Sequence, residues 1–385
     1  MRSKNIIFLK YGASSKNKNK IKKTLIKIFD NRLIKSFSNK YIFNFNKSEI
    51  KKYKKFNNYT IIGIGGSSLG IKAIYNFLYF KIKKKFIFKD NLNTKIYKDN
   101  KNIKNLNIVI SKSGNTLETI TNFNNTKDKK NNLFLCENSD NYLRNLANKL
   151  KCEIIEHRNY IGGRYSVLSE VGMLPSILMG LNEKKFKNFD SLIQSKIFID
   201  ALIDSVSSTL HFIQKKKLNS IILNYDEQSD DLFKWYQQLV GESLGKKSKG
   251  IMPIVSTMPK DNHSMMQLYL DGPKNNFYTF FDVIENKKNK IRSNKVILES
   301  HKYLKNKTLY QIKSAQKEAT QIVFDKKNIP YRSFNLLNRS ESSIGEMFTF
   351  LMLETILLGN FLKVNPFDQP SVELIKTQTN KILKN

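Results

Sequence analysis

The sequence predicts an α/β protein made of two doubly wound parallel-sheet domains and closed by a C-terminal helical arm. Short runs rich in Ile, Val and Phe recur along the chain, and stretches of helical periodicity alternate with them, the rhythm of strand and crossover helix. The length of 385 residues is enough for two medium domains with substantial cores.

Residues 1–58 read as a polar, lysine-rich N-terminal segment. The first domain, 59–190, opens with the apolar run Thr60–Ile64, a glycine turn and a helical pattern from Leu69 to Phe80. Further strand-like runs follow at Lys85–Phe88, Asn107–Ser111, Leu133–Cys136 and Glu153–Glu156. The second domain, 191–364, begins around the helical stretch Asp200–Gln214 and continues with strands at Ser220–Leu223, Ile251–Ser256 and Phe277–Val283, with a helix over Gln228–Leu244 between the first two. The long apolar stretch Ile344–Leu362 carries Glu346 and Glu354, so it reads as a buried helix and no membrane span is expected. Residues 365–385 form the arm: a loop over Pro366–Pro370 and a helix over Ser371–Leu383, expected to pack back across the body.

Composition excludes disorder, collagen and coiled coil, since the apolar share of 40% and charged share of 26% are those of an ordinary globular chain. A net charge of +35 is of the kind that draws nucleic acid or anionic lipid. However, the excess is lysine spread along the whole chain, while arginine, the better reader of phosphates and bases, is scarce, so no nucleic-acid partner is expected. Such a field still favours an anionic small molecule over a neutral one. Cys136 and Cys152 lie in no metal-binding or disulfide spacing, which fits a reducing, cytoplasmic setting without a structural metal. The apolar run Ile6–Leu9 is too short for the core of a signal peptide.

Several segments carry chemistry. Gly63, Gly65, Gly66, Ser67, Ser68 and Gly70 stand where a strand gives way to a helix, a position whose free N–H groups favour an anion. The dinucleotide fingerprint would need glycine at 68, and a P-loop would need lysine at 71, where isoleucine stands. Ser111, Lys112, Ser113 and Thr116 also follow a strand and precede a helix; their three hydroxyls exceed what a single N-cap needs and suit a phosphate monoester. Arg164 stands directly behind Gly162 and Gly163, and glycines let backbone approach a ligand closely. Gln238 and Glu242 are four apart on one helix face, with Trp235 and Tyr236 one to two turns earlier, placed to shield the carboxylate. His263 lies in a polar stretch after a strand, Gln369 in the final loop, and Lys376 in the second turn of the closing helix.

In order, IGIGGSSLG, SKSGNTLET, GGRYS, QLVGESLGK, DNHSMMQLYLDGP and NPFDQPSVELIK resemble the successive signatures of the phosphoglucose isomerase family, from about residue 60 to the end of the chain. Gly114 and Asn115 differ from the bulkier residues of the animal enzymes, so the resemblance is to the compact bacterial type. It implies two sugar-isomerase domains, a homodimer with active sites at the subunit interface, and interconversion of glucose 6-phosphate and fructose 6-phosphate without a cofactor. It further implies that Ser111, Lys112, Ser113 and Thr116, with Gly66 and Ser67, hold the phosphate and sugar, and that Glu242 is the base. His263, from the partner subunit, and Lys376 match positions that assist ring opening. Arg164, after Gly163, matches the arginine facing the enediolate, while Gln238 and Gln369 match amides that line the pocket. The residues alone leave open a broader isomerase taking mannose phosphates and a non-catalytic phosphosugar-binding regulator.

Overall fold

The computed structural model describes residues 1–92, 104–284, 291 and 293–385. Among the described residues the strands are β1 (Ile6–Leu9), β2 (Asn58–Ile62), β3 (Lys85–Lys89), β4 (Asn105–Ile110), β5 (Asn132–Cys136), β6 (Glu153–Glu156), β7 (Asn219–Asn224), β8 (Met252–Thr257), β9 (Asn276–Val283) and β10 (Tyr331–Leu336). They form two five-stranded sheets, ordered β3-β2-β4-β5-β6 and β1-β10-β9-β7-β8. Every pairing is parallel except β1 with β10. Central strands such as β5 and β9 are buried along their whole length, which is why they read as nearly unbroken apolar runs. The strand order reverses beside β2 in one sheet and beside β7 in the other, and the loops at the carboxyl ends there are where a doubly wound sheet places ligands.

Three features differ from the sequence reading. β1 lies within the expected lead-in 1–58 yet is an edge strand of the second sheet, with Ile6 opposite Leu336. β10, which the sequence reading did not name, interleaves Arg332, Ser333 and Asn335 with apolar residues. The closing helix, Pro370–Lys384, does not pack back across its own subunit: none of its residues is buried, and Leu374, Ile375, Ile382 and Leu383 stand exposed.

The core is organised around the helix Glu341–Leu362, which is long and apolar enough to cross a membrane but runs through the interior. Its two central carboxylates are satisfied there: Glu346 accepts from Ser3 and Asn5, tying down the segment before β1, and Glu354 pairs with Arg332 of β10. A buried carboxylate would be costly without such partners. Trp235, on the helix Asp230–Leu244, packs edge-on against Phe348 at a centroid distance of 4.7 Å. The same helix packs against Leu69–Phe77 of the other half, so the two sheets share one continuous core.

His157, just past β6, is 2% exposed, and its Nδ1 lies 3.1 Å from the Arg158 carbonyl, so that nitrogen carries the proton and donates. Burial, with the nearby Lys112 cation, pushes its pKa down to about 4. A depressed pKa means the unfolded chain binds the proton first, so the stability gained from a neutral His157 is whole above about pH 6.5 and lost as pH falls toward 4. In unfolding measurements between pH 7 and 4, the wild type is expected to lose about 3 kcal/mol more than a His157→Asn variant, which keeps a donor at the Nδ1 position. Parallel curves would contradict this.

Candidate active site

The site begins where β2 ends. A Cβ on Gly63 would lie 2.8 Å from the Ile110 carbonyl, so the loops after β2 and β4 run side by side. Gly65 adopts φ +57°, and a Cβ there would lie 2.7 Å from Gln238 Nε2. On Gly66 it would fall 2.1 Å from the Gly163 carbonyl carbon and 2.6 Å from Arg164 N. Only glycine permits this approach, and through it the first sheet, the 163–164 turn and the helix Asp230–Leu244 converge. Ser67 is half-buried in the same turn.

In the neighbouring loop Ser111 is buried, with its hydroxyl 2.7 Å from that of Thr116. Thr116 is the N-cap of the helix Leu117–Asn124, but its side chain makes no capping bond, which leaves first-turn N–H groups for a ligand or solvent. Ser113 is exposed and accepts from Asn115 N at 3.3 Å. Lys112 donates to the Asn159 carbonyl at 2.8 Å and lies 3.4 Å from Glu137, so its ammonium is held toward those residues.

Arg164 and Glu242 form the centre. Arg164 is 2% exposed, and every edge of its guanidinium is used: Nε donates to Ser243 Oγ at 2.8 Å, Nη2 to the carbonyls of Pro366 (2.7 Å) and Asp368 (2.9 Å), and Nη1 to Glu242 Oε2 (3.1 Å) and Gln369 Oε1. The Trp235 indole donates to the Arg164 carbonyl at 3.1 Å, so Trp235 fixes the arginine's backbone, while the carboxylate is met by Arg164 and Gln238. Gln238 Nε2 donates to Glu242 Oε1 at 2.9 Å, and its buried Oε1 has no partner within the chain, an acceptor suited to a ligand hydroxyl. The Glu242 side chain keeps 28% of its surface accessible, so it is reachable as well as held. Lys246, 2.8 Å from Asp368, anchors the final loop and holds that carboxyl below the usual range.

Gly65, Gly66, Gly163, Arg164, Gln238, Glu242 and Gln369 therefore meet at one place, with the Ser111–Thr116 loop adjacent. His263 and Lys376 are not part of this cluster. His263 is exposed in a short turn after β8, and Lys376 is 57% exposed and pairs with Glu373 on its own helix. Sequence reasoning did not single out Ser243 or Tyr165; only their contacts with Arg164 and Pro366 mark them. Among the described residues no group of three or more His, Cys, Asp or Glu side chains is placed to hold a metal ion.

Comparison with known proteins decides the family: the profile described as Phosphoglucose isomerase matches residues 26–385. The chain belongs to the phosphoglucose isomerase family. It is 32% identical over 381 residues to the glucose-6-phosphate isomerase of Mycoplasmopsis pulmonis, covering 88% of this chain and 87% of that protein. It is 31% identical over 359 residues to a probable glucose-6-phosphate isomerase of Methanococcus maripaludis, covering 87% and 81%. Among solved structures, a hypothetical protein from Thermus thermophilus superposes with a TM-score of 0.82 at 23% identity, covering 96% of this chain and 95% of that one. A glucose-6-phosphate isomerase from Chlamydia trachomatis superposes with a TM-score of 0.68 at 19% identity, covering 88% and 72%. At these identities the two structural likenesses establish a shared fold.

Proposed function

We propose that this phosphoglucose isomerase family member interconverts D-glucose 6-phosphate and D-fructose 6-phosphate through ring opening and a cis-enediol, serving glycolysis and gluconeogenesis. The observation that carries the mechanism is the Glu242 carboxylate, accessible yet held at 3.1 Å by Arg164 and at 2.9 Å by Gln238 beside the hydroxyl loop. Aldose and ketose differ by a proton moved between C1 and C2 and by the hydrogens on two oxygens. One carboxylate over both carbons can take the proton from one and return it to the other. The Nη1 edge of Arg164 can face the oxygen on which negative charge develops, from a guanidinium that is itself buried and held in place. The Ser111–Thr116 loop anchors the phosphate, and binding energy from that distant group orients the reacting end. Wild-type protein is expected to convert fructose 6-phosphate to glucose 6-phosphate in a coupled assay, with the rate unchanged by chelator; no turnover would defeat the proposal.

The functional unit is a homodimer in the cytoplasm, with His263 supplied across the interface. Geometry supports the sharing. Asp230, at the start of its helix, accepts from Thr257 at the end of β8, and Thr257 N in turn donates to Asp261, two residues before His263. Along that helix Glu242 lies roughly 18 Å from Asp230 at 1.5 Å rise per residue, so His263 and Glu242 of one subunit occupy opposite ends. The exposed apolar residues of the closing helix are suited to burial against a second copy. Neither His263→Ala nor Glu242→Gln alone is expected to sustain turnover, whereas refolded mixtures should recover activity, since each mixed dimer regains one intact site. Verified mixed dimers with no recovery would rule out sharing.

A further inference from the structure

We propose that Ser243, the residue after the base, is a positioning residue that sets which edge of Arg164 faces the substrate. The inference rests on the role given to Arg164 above. Ser243 is fully buried and belongs to a closed hydrogen-bond ring. Arg164 Nε donates to Ser243 Oγ at 2.8 Å; Ser243 Oγ lies 2.9 Å from Tyr165 Oη; Tyr165 donates to the Pro366 carbonyl at 3.1 Å; and Arg164 Nη2 donates to that same carbonyl at 2.7 Å. The protons have one consistent assignment. Because the Tyr165 proton goes to Pro366, the Ser243 proton goes to Tyr165, and the Ser243 oxygen remains free to accept from Arg164. Burial pushes the Tyr165 phenol above its usual range, which keeps that donor in place.

The ring occupies Nε, and Nη2 is held by the Pro366 and Asp368 carbonyls. Only Nη1 is left to face the pocket, where it meets Glu242 and Gln369 side chains that a bound ligand can replace. Without the Ser243 hydroxyl the guanidinium keeps its Nη2 bonds but loses the acceptor at Nε that completes its alignment, at a place where the fully buried Ser243 and Tyr165 admit no water in its stead. The consequence falls on the charge-developing step, because the phosphate loop is on a different element and makes no use of the ring.

The test compares wild type, Ser243→Ala and Tyr165→Phe in the full-length protein. For Ser243→Ala, kcat is expected to fall on the order of tenfold to a hundredfold, as for misplacement of a catalytic group by a fraction of an ångström to an ångström, with KM near wild type. A five-carbon aldonate phosphate, whose carboxylate mimics the enediolate oxygens, should lose affinity by a similar factor, while a six-carbon alditol phosphate should bind as before. Tyr165→Phe removes the ring's bonds to Ser243 and Pro366 while leaving the Arg164–Ser243 bond and nearly all of the core volume in place, and should give the same split to a smaller extent, which keeps the question answerable if Ser243→Ala fails to fold. Folded variants with wild-type kcat, or equal losses of affinity for the two ligands as from general loosening, would overturn the proposal. Wild-type protein lacking isomerase activity would instead defeat the reading of Arg164 itself.

Discussion

Glu242→Gln is expected to lower kcat in both directions by about 10²–10⁴-fold or more, the contribution of a well-placed general base, while sugar-phosphate affinity stays near that of wild type. The substitution keeps the side chain's shape and an oxygen for Arg164 or Gln238, which donate to the carboxylate at 3.1 Å and 2.9 Å. It replaces the carboxylate by a neutral amide, too weak a base to receive the carbon-bound proton. In the proposed mechanism the phosphate is anchored on the separate loop around Ser111 and Thr116, so binding and turnover should part company. Isothermal titration with an alditol phosphate beside a coupled kinetic assay separates the two. Near-normal turnover would move the base elsewhere, and lost binding with a folded protein would mean that Glu242 mainly holds the sugar.

Arg164→Lys is expected to damage catalysis and stability together. The guanidinium donates to Glu242, Ser243, Gln369 and the carbonyls of Pro366 and Asp368, drawing all of them onto one planar group. Lysine keeps the charge but not the fork, so several buried acceptors lose their donor at once. Turnover should fall by about 10²–10³-fold, as on removal of an oxyanion donor. Stability should drop by about 1–3 kcal/mol for each buried acceptor left without its donor. The final loop should also loosen, and proteolysis after Pro366 should become faster than in wild type. A variant with unaltered melting temperature and turnover would contradict the view that one arginine serves both loop and site.

How much of this was legible before the structure depended on what each residue's neighbours are. β2, β4 and β5 were readable because strands buried on both faces are nearly continuous apolar runs, and the edge strands β3 and β6 because each keeps a short apolar centre between charged ends. β10 escaped because Arg332, though buried, is polar in the sequence and becomes compatible with the core only through Glu354, on a distant helix. β1 escaped because four residues at an antiparallel edge are too short a pattern. At the site, the spacing of Gln238 and Glu242 was enough to put them on one face, since helical periodicity is local. That Ser243 accepts from Arg164 was not readable, because the contact joins residues 79 apart in sequence and exists only after both halves pack. The exposed closing helix was misread for the same reason: its amphipathic pattern signals burial but does not say against which surface.

The central claim is a proton carried between two carbons by Glu242. Isomerisation of fructose 6-phosphate in D2O, followed by NMR, tests it most directly: the account predicts solvent deuterium at C2 of the glucose 6-phosphate formed, with isomerisation and exchange both suppressed in Glu242→Gln. Isomerisation or exchange undiminished in Glu242→Gln would contradict it.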